Sequence, residues 1–409
     1  MKNYCFIRLF ALFLIFAMLL TVTSCSGVST TSNNVSTTKS VFNGAITLGV
    51  VCPLTGTSQL DGEYYIDGIK MAVAEINAKG GILGKELKVS IQDEGNDQAM
   101  SLSATQKLIS DNVAAIIGSW YSTNCMAVLP TVLQSKMIYF ANGSNPNIFA
   151  QKNPWVWQIR VTDNFTGPIM SDVAVKTLKM KNPAVFYTTA ASTTLQAESF
   201  IAAMKSKQGI TIPSKNVYGA AETEINFSTI INQILASDVD GLVCMGVSTA
   251  WSIPFAQQLF NAGGNELPRL GSNSFSSTAF IQMVGDAGNG WNTVNDWSPS
   301  FPEVADKFNA PKEALDFERK YRTIYGEKTA SQSAWGYDCV YLFYNACIAA
   351  GTTDDRAAIN KALELTNYQG TNNYYKYYED TFHVLSSYIM VSETIKGLSL
   401  PWDSVNYRK

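Results

Sequence analysis

Short apolar segments alternate with amphipathic stretches along most of the chain from residue 45 onward. Apolar runs of this length predict buried strands, and the stretches between them carry apolar side chains at helical spacing, as Ile69, Val73 and Ile76 do. The strands and helices predicted for the first half are, in chain order, 46–51, 67–79, 87–93, 100–110, 114–118, 126–134 and 137–142. Strands separated by helices of this length predict right-handed βαβ units and a parallel sheet.

The second half repeats this alternation. Its predicted elements are, in order, 183–188, 195–207, 215–221, 228–237, 241–246, 253–262 and 267–272. Residues 155–163 read as a strand that leads into a crossing between the halves. Further along, the pattern predicts helices over 312–325, 331–350 and 355–365 and a strand pair at 374–378 and 387–392.

This repetition predicts an α/β fold with two doubly wound parallel-sheet lobes, joined by a hinge of several strands as in a clamshell. We expect residues 45–163 and 293–370 to form lobe 1. Residues 164–292 and 371–409 would then form lobe 2.

The first 25 residues have the pattern of an export signal. Lys2 and Arg8 precede an apolar core over 9–20, and the sequence then ends in Val22-Thr23-Ser24-Cys25, which resembles the lipobox of bacterial lipoproteins. We therefore expect an exported protein that carries lipid on Cys25, either at the outer face of the cytoplasmic membrane or in the periplasm. The Ser/Thr/Asn-rich residues 26–44 are typical of a flexible tether.

Composition excludes several function classes. Removing the two basic residues of the leader leaves 30 − 2 = 28 basic against 33 acidic residues, so nucleic-acid binding is not expected. Without Cys5 and Cys25, 7 − 2 = 5 cysteines remain, an odd number that favours buried free thiols. The sequence has one histidine, His383, and lacks a zinc spacing, a nucleophile elbow and a phosphate loop. We expect a monomer without metal or cofactor and without enzymatic activity.

Polar residues follow the predicted strands of lobe 1, in the loops 52–62, 118–125 and 141–147. In parallel α/β sheets ligands lie beyond the carboxyl ends of the strands, where helices begin. Ser122, Thr123, Asn142 and Ser144 are short donors near free backbone N–H groups, which suits a carboxylate, although helix capping alone would also explain them.

Larger side chains accompany these donors. The presumed cleft is lined or approached by Trp120, Tyr121, Asp61 and Trp251. The aromatic rings among them either stack on a planar or apolar ligand or pack beneath a helix. Tyr337 near the hinge either faces the ligand or packs in the core.

Several motifs resemble the Leu/Ile/Val-binding family, the type I periplasmic binding proteins of branched-chain amino acid ABC importers. The resemblance spans 45–392, and its motifs are the loop Pro53 to Gly56, the segment Ile76 to Gly84, Ile117-Gly118, Ser144-Asn145-Pro146, Gly336-Tyr337-Asp338 and Tyr388-Ile389. It implies a clamshell that closes over a small molecule and delivers it to a permease and ATPase complex.

The resemblance also implies site roles. Ser122 and Ser144 match the residues that hold the ligand's α-carboxylate, with Asn142 supplying a neighbouring backbone group. Asn273 stands where the family usually has an acidic residue for the ammonium, which leaves Asp61 or Glu222 as replacements.

A disulfide common in the family is absent as well. Its two places hold Asn96 or a neighbour and Tyr121. The sequence therefore predicts an amino acid or amino-acid-like carboxylate as ligand. An aromatic or other non-amino carboxylate, a small amide, and a sensor function in place of transport stay open.

Overall fold

The computed structural model describes residues 42–296, 311–326, 331–377, 388–395 and 398–406. The leader with Cys25, nearly all of the tether and His383 lie outside the described residues. Within the described part, no helix combines the length and the apolar character needed to span a membrane.

Lobe 1 is built on a sheet of five parallel strands in the order β2-β1-β3-β4-β5. Its strands are β1 (Ala45–Cys52), β2 (Glu86–Asp93), β3 (Ala115–Ile117), β4 (Ile138–Ala141) and β5 (Val156–Gln158). Its helices are α1 (Gln59–Ala78), α2 (Gln98–Ser110), α3 (Ser122–Ser135), α4 (Asn147–Ala150), α10 (Lys312–Tyr325), α11 (Ser331–Ala350) and α12 (Arg356–Glu364). A small antiparallel pair, β11 (Asn367–Gln369) and β12 (Tyr374–Lys376), completes it.

Lobe 2 has seven strands in the order β14-β13-β10-β9-β8-β6-β7, in which β13 runs antiparallel to both of its neighbours, β10 and β14. Its strands are β6 (Ala184–Thr188), β7 (Val217–Ala220), β8 (Leu242–Met245), β9 (Arg269–Gly271), β10 (Trp291–Asp296), β13 (Tyr388–Ile395) and β14 (Leu398–Asn406). Its helices are α5 (Asp163–Asp172), α6 (Ala191–Gln208), α7 (Ser228–Leu235), α8 (Thr249–Asn261) and α9 (Thr278–Met283). A π-helical turn at Val173–Thr177 continues α5.

Helices cover both faces of each sheet, so the central strands are apolar on both sides. In lobe 1, Leu48 and Val50 of β1 are fully buried. Helices α1 and α11 pack closely because each has a glycine at the contact. A Cβ on Gly68 would lie 1.8 Å from the Ser333 carbonyl oxygen, and one on Gly336 would lie 2.3 Å from that of Tyr65.

The chain first crosses between the lobes at Arg160. Ile159 belongs to the core of lobe 1, whereas Val161 belongs to a core of lobe 2. It returns to lobe 1 between β10 and α10 and crosses again between β12 and β13.

The predicted strand pair near the end is wrong. β12 pairs with β11, while β13 pairs with β10 and β14. Tyr375 and Tyr377 pack in the core of lobe 1, so that lobe extends past residue 370, where the prediction ended it. The burial of these two aromatic side chains holds residues 374–377 in lobe 1, away from the second predicted strand.

Four helices begin earlier than their apolar periodicity predicted. Helix α1 begins at 59 instead of 67, α3 at 122 instead of 126, α6 at 191 instead of 195 and α8 at 249 instead of 253. Each first turn is mostly small or polar, and all four lie beside the cleft described below.

The two lobes contact each other away from the chain crossings. Tyr64 of α1 and Ala279 of α9 form a buried apolar cluster with Leu60. Asn96 Nδ2 donates to Glu222 Oε2 across the cleft at 2.9 Å. The described conformation is therefore a closed one.

Candidate functional site

A cavity lies between the lobes, at the carboxyl ends of the parallel strands, as expected for this sheet type. It offers about 70 Å³ to the centres of water-sized molecules, roughly the room of five to seven waters. It therefore accommodates one small organic molecule. Six predicted site residues line it: Asp61, Trp120, Tyr121, Ser122, Ser144 and Asn273.

Ser122 opens helix α3 at the cavity wall. The preceding Tyr121 is extended and gives no side-chain cap, so the first N–H groups of α3 have no partner within the helix. Ser122 Oγ accepts from Asn145 N at 3.2 Å, and its own proton has no acceptor among the described residues. This helix start thus presents several donors and a positive partial charge to the cavity.

Glu94 forms hydrogen bonds to the residues at the start of α3. Its buried carboxylate accepts from Trp120 N and, at 3.0 Å, from Asn124 Nδ2. Burial raises the pKa of Glu94 to about 7, against the hydrogen bonds that lower it. Glu94 lies in the loop after β2, and its partners lie after β3. It therefore joins the same two loops that the disulfide common in the family would join.

Ser144 makes a contact different from the one predicted. Ser144 Oγ donates to Asp163 Oδ2 at 2.9 Å, so the hydroxyl proton is engaged and the side chain can offer an outside group only lone pairs. Asp163 begins α5 in lobe 2 and lines the cavity. Together the two side chains form an acceptor pair, which suits a cation.

Asp61 projects from the first turn of α1 and is 2% exposed. Its carboxylate accepts from Gln332 Nε2 at 3.0 Å and from the backbone N–H of Thr249, which opens α8 in lobe 2. Burial raises the pKa of Asp61 to about 7, opposed by these hydrogen bonds and by the charge of Arg160. Asp61 therefore links both lobes at the cavity wall.

Arg160 brings a cation to the cavity from the crossing segment that follows β5. Its guanidinium lies 3.8 Å from the ring centroid of Trp335, a cation–π contact. Trp120 continues this aromatic wall, with ring centroids 5.9 Å from Trp335 and 5.7 Å from Tyr65. Trp120 therefore both packs in the core and borders the cavity.

The lobe 2 wall is polar. Ser192 and Thr193 lie in the first turn of α6, and Asn273 and Ser274 follow β9. Ser274 is 6% exposed, and its Oγ has no hydrogen-bond partner among the described residues. This hydroxyl needs a polar group from the contents of the cavity.

Other predicted candidates lie elsewhere. Thr123 and Glu222 line a separate groove between the lobes. Asn142 is buried behind β4 and does not line the cavity. Trp251 is fully buried among lobe 2 aromatics, and Tyr337 is buried in the lobe 1 core.

Tyr337 packs on Phe317 at 5.1 Å between ring centroids and donates to Glu75 Oε2 at 2.9 Å. The helical repeat explains its direction. Gln332 faces the cavity, and five residues along α11 rotate a side chain by about 140°. The interpretation that Tyr337 faces the ligand is therefore wrong, and core packing holds instead.

Sequence reasoning missed Arg160, Asp163 and Gln332. Arg160 is the one charged residue in the stretch Trp155 to Val161, which was read as a crossing. Asp163 and Gln332 occupy first turns of helices, the positions where capping is the ordinary explanation. A charged residue inside a crossing strand was the available signal.

Among the described residues, the cavity is lined by one cation, Arg160, and two carboxylates, Asp61 and Asp163, besides several helix starts. The described residues contain no group of three side chains suited to a metal ion. A polar cavity between two α/β lobes, lined by charges of both signs, defines a clamshell ligand-binding protein.

The chain belongs to the periplasmic binding protein family, whose model matches residues 45–395. Among curated proteins it is similar to the Leu/Ile/Val-binding protein homolog 3 of Brucella melitensis, with 26% identity over 78% of this chain and 83% of the relative. It is also 24% identical to the Leu/Ile/Val-binding protein BraC3 of Rhizobium johnstonii, over 78% of this chain and 83% of that protein.

Solved structures share the fold. A leucine-binding protein from Thermotoga maritima superposes with a TM-score of 0.78 at 21% identity, covering 89% of this chain and 99% of its own. A solute-binding protein from Rhodopseudomonas palustris in complex with benzoate also gives 0.78, at 18% identity, over 89% and 98% of the two chains. The clamshell predicted from sequence is confirmed.

Proposed function

We propose that the protein is the substrate-binding lipoprotein of an ABC importer and that its lobes close over one small amino acid or amino-acid-like carboxylate. The observation that carries this proposal is the pairing, in one cavity, of the donors around Ser122 with the acceptors Asp163 and Ser144. We call these three residues the Ser122 group.

The two halves of the Ser122 group suit the two charges of an amino acid. The carboxylate would receive the Ser122 hydroxyl and the free N–H groups of α3. The ammonium would donate to Asp163 and to the lone pairs of Ser144. Asp163 thus takes the role that the resemblance assigned to an acidic residue at Asn273.

The relatives support the same class of ligand, because the Brucella and Rhizobium proteins are named for leucine, isoleucine and valine. In this proposal the protein binds its ligand without chemical turnover and passes it to a permease and ATPase complex. It acts as a monomer held at the cell envelope by lipid on Cys25.

A thermal-shift screen of the purified protein, followed by calorimetry, tests the ligand class. The panel contains the amino acids, benzoate and small amides. For each hit, the matched amine without the carboxylate and acid without the ammonium serve as controls. We expect only molecules with both groups to raise the melting temperature. A larger shift with benzoate than with any amino acid would establish the aromatic alternative instead.

Fractionation of cells tests the anchor. The Cys25→Ala variant should leave the membrane fraction, whereas the Cys52→Ala variant, at a buried thiol of β1, should stay in it. An uptake assay in cells lacking the protein tests transport. Unchanged uptake of the ligand in those cells would favour a sensor.

A further inference from the structure

We infer that the part of the cavity wall formed by Asp61, Arg160 and Gln332 receives a neutral hydrogen-bonding group of the ligand. The protein would then prefer an amino acid with a hydroxyl or carboxamide side chain over the branched-chain aliphatic ones. We call these three residues the Asp61 group. This inference rests on the proposed function, because it assumes that the Ser122 group holds the α-carboxylate and the ammonium.

The acceptor capacity of Asp61 is the first observation. A carboxylate has about four lone-pair sites, and those of Asp61 receive Gln332 Nε2 and Thr249 N–H. The remaining sites are screened from bulk water, since the residue is 2% exposed. A ligand group that donates hydrogen bonds satisfies them, and an aliphatic branch leaves them unsolvated.

Charge balance decides between a neutral and a charged group. Arg160 acts on Asp61 electrostatically and lies 3.8 Å from the ring centroid of Trp335, so the Asp61 group pairs one positive with one negative charge when Asp61 is ionised. A third full charge beside this pair would lie in a small, closed cavity without its own counter-ion. A hydroxyl or carboxamide adds no charge and can both donate and accept.

The opposite wall gives an independent indication. Ser274 Oγ is buried and has no partner among the described residues, although it borders the same cavity. Gln196 and Asn273 lie nearby on the lobe 2 side. Among the described residues, the aliphatic lining consists of Val161, Val247 and Val294, which is little for a pocket that selects leucine or valine.

Calorimetry with isosteric ligand pairs tests the inference on the full protein. Threonine and valine differ by a hydroxyl in place of a methyl group, and asparagine and leucine differ by a carboxamide in place of an isopropyl group. We expect each polar member to bind at least about tenfold tighter. The aliphatic member would leave buried polar groups of the protein without hydrogen-bond partners.

The outcomes separate the two proposals. Equal or tighter binding of valine and leucine overturns the assignment of the Asp61 group and leaves the amino-acid function standing. Failure of all four, together with failure of alanine and glycine, overturns the amino-acid function and this inference with it. Preference for lysine or glutamate over asparagine shows a charged group and overturns the neutral assignment.

A variant tests whether Asp61 itself sets the preference. In Asp61→Ala the ratio of the asparagine and leucine affinities should fall at least about tenfold. The ratio cancels any general effect on lobe closure through Thr249. Glu63→Ala, an exposed position two residues away on α1, should leave the ratio unchanged. If Asp61→Ala does not fold, Gln332→Ala replaces it. An unchanged ratio in the folded variant overturns the assignment.

Discussion

The Ser122 group and the Asp61 group line the same cavity but are built differently. The Ser122 group combines the start of α3 with a hydrogen-bonded pair of side chains, Ser144 and Asp163. Ser122 itself accepts a hydrogen bond from Asn145 N, in the loop after β4. The Asp61 group draws on the first turn of α1, the crossing segment after β5 and the first turn of α11, which are far apart in sequence. Ser122 and Ser144 could be recognised from local sequence, whereas Asp163 and the Asp61 group come together only once the lobes and α11 are assembled.

The largest loss of ligand affinity is expected from substitution of Asp163, the acidic member of the Ser122 group. Asp163→Ala should weaken amino-acid binding at least about 100-fold, because it removes the proposed counter-charge of the ammonium. Calorimetry on the hit from the screen measures this. Asp172→Ala, at the other end of α5 among surface lysines, is the control. Binding within threefold of the parent would show that the ammonium is held elsewhere, and the Asp61 group would be the next candidate.

Ser122→Ala should cost about 1.5–3 kcal/mol of binding free energy, the usual contribution of a hydrogen bond to a charged group. Thr123→Ala is the matched control, since the neighbouring side chain lines the separate groove. Comparing the two by calorimetry isolates the hydroxyl from any effect on the start of α3. Equal losses in both variants would indicate helix capping, not ligand contact.

The support beneath the Ser122 group should show in the pH dependence of stability. The pKa of Glu94 is raised from an ordinary 4.5 to about 7 by burial, so the folded protein favours the protonated carboxyl. Its contribution to stability is full below about pH 4.5 and is lost as the pH rises through 7. In urea unfolding, the free energy of unfolding of the parent minus that of Glu94→Gln should therefore decrease from pH 4.5 to pH 7.5. A difference that grows over this range contradicts the assignment.

The smallest effect is expected outside both groups. Asn96 and Glu222 meet across the cleft at an exposed position, and such contacts are worth about 0.5–1 kcal/mol. Asn96→Ala should lower the affinity by about two- to fivefold. Asn232→Ala, on the exposed face of α7, is the control. A loss larger than that of Ser122→Ala would mean that the rim of the cleft dominates closure.

The order of strands and helices followed from apolar periodicity, because buried sheets and amphipathic helices impose strong repeats. Periodicity did not predict the first turns of four helices, α1, α3, α6 and α8, and the reason is the same for each. Residues such as Asp61, Ser122, Thr193 and Thr249 face the cavity, so polar side chains occupy positions where periodicity requires apolar ones. Each missed turn thus contains at least one residue that lines the candidate ligand site.

Glu94 marks another limit of the sequence. The resemblance showed that a disulfide was missing between two loops, and nothing in the local pattern around residues 94–96 indicated its replacement. A buried carboxylate joins the same loops through Trp120 N–H and the Asn124 amide. Such a link depends on tertiary burial, which a single sequence does not display.

The apolar contact of Leu60 and Tyr64 with Ala279 has a consequence for transport. These side chains lie outside the cavity, so they stabilise the closed form whether or not it holds a ligand. An empty protein would then spend part of its time in the shape that a permease recognises. Empty and loaded copies would compete for the same docking place, and uptake would slow when the binding protein greatly outnumbers its transporter.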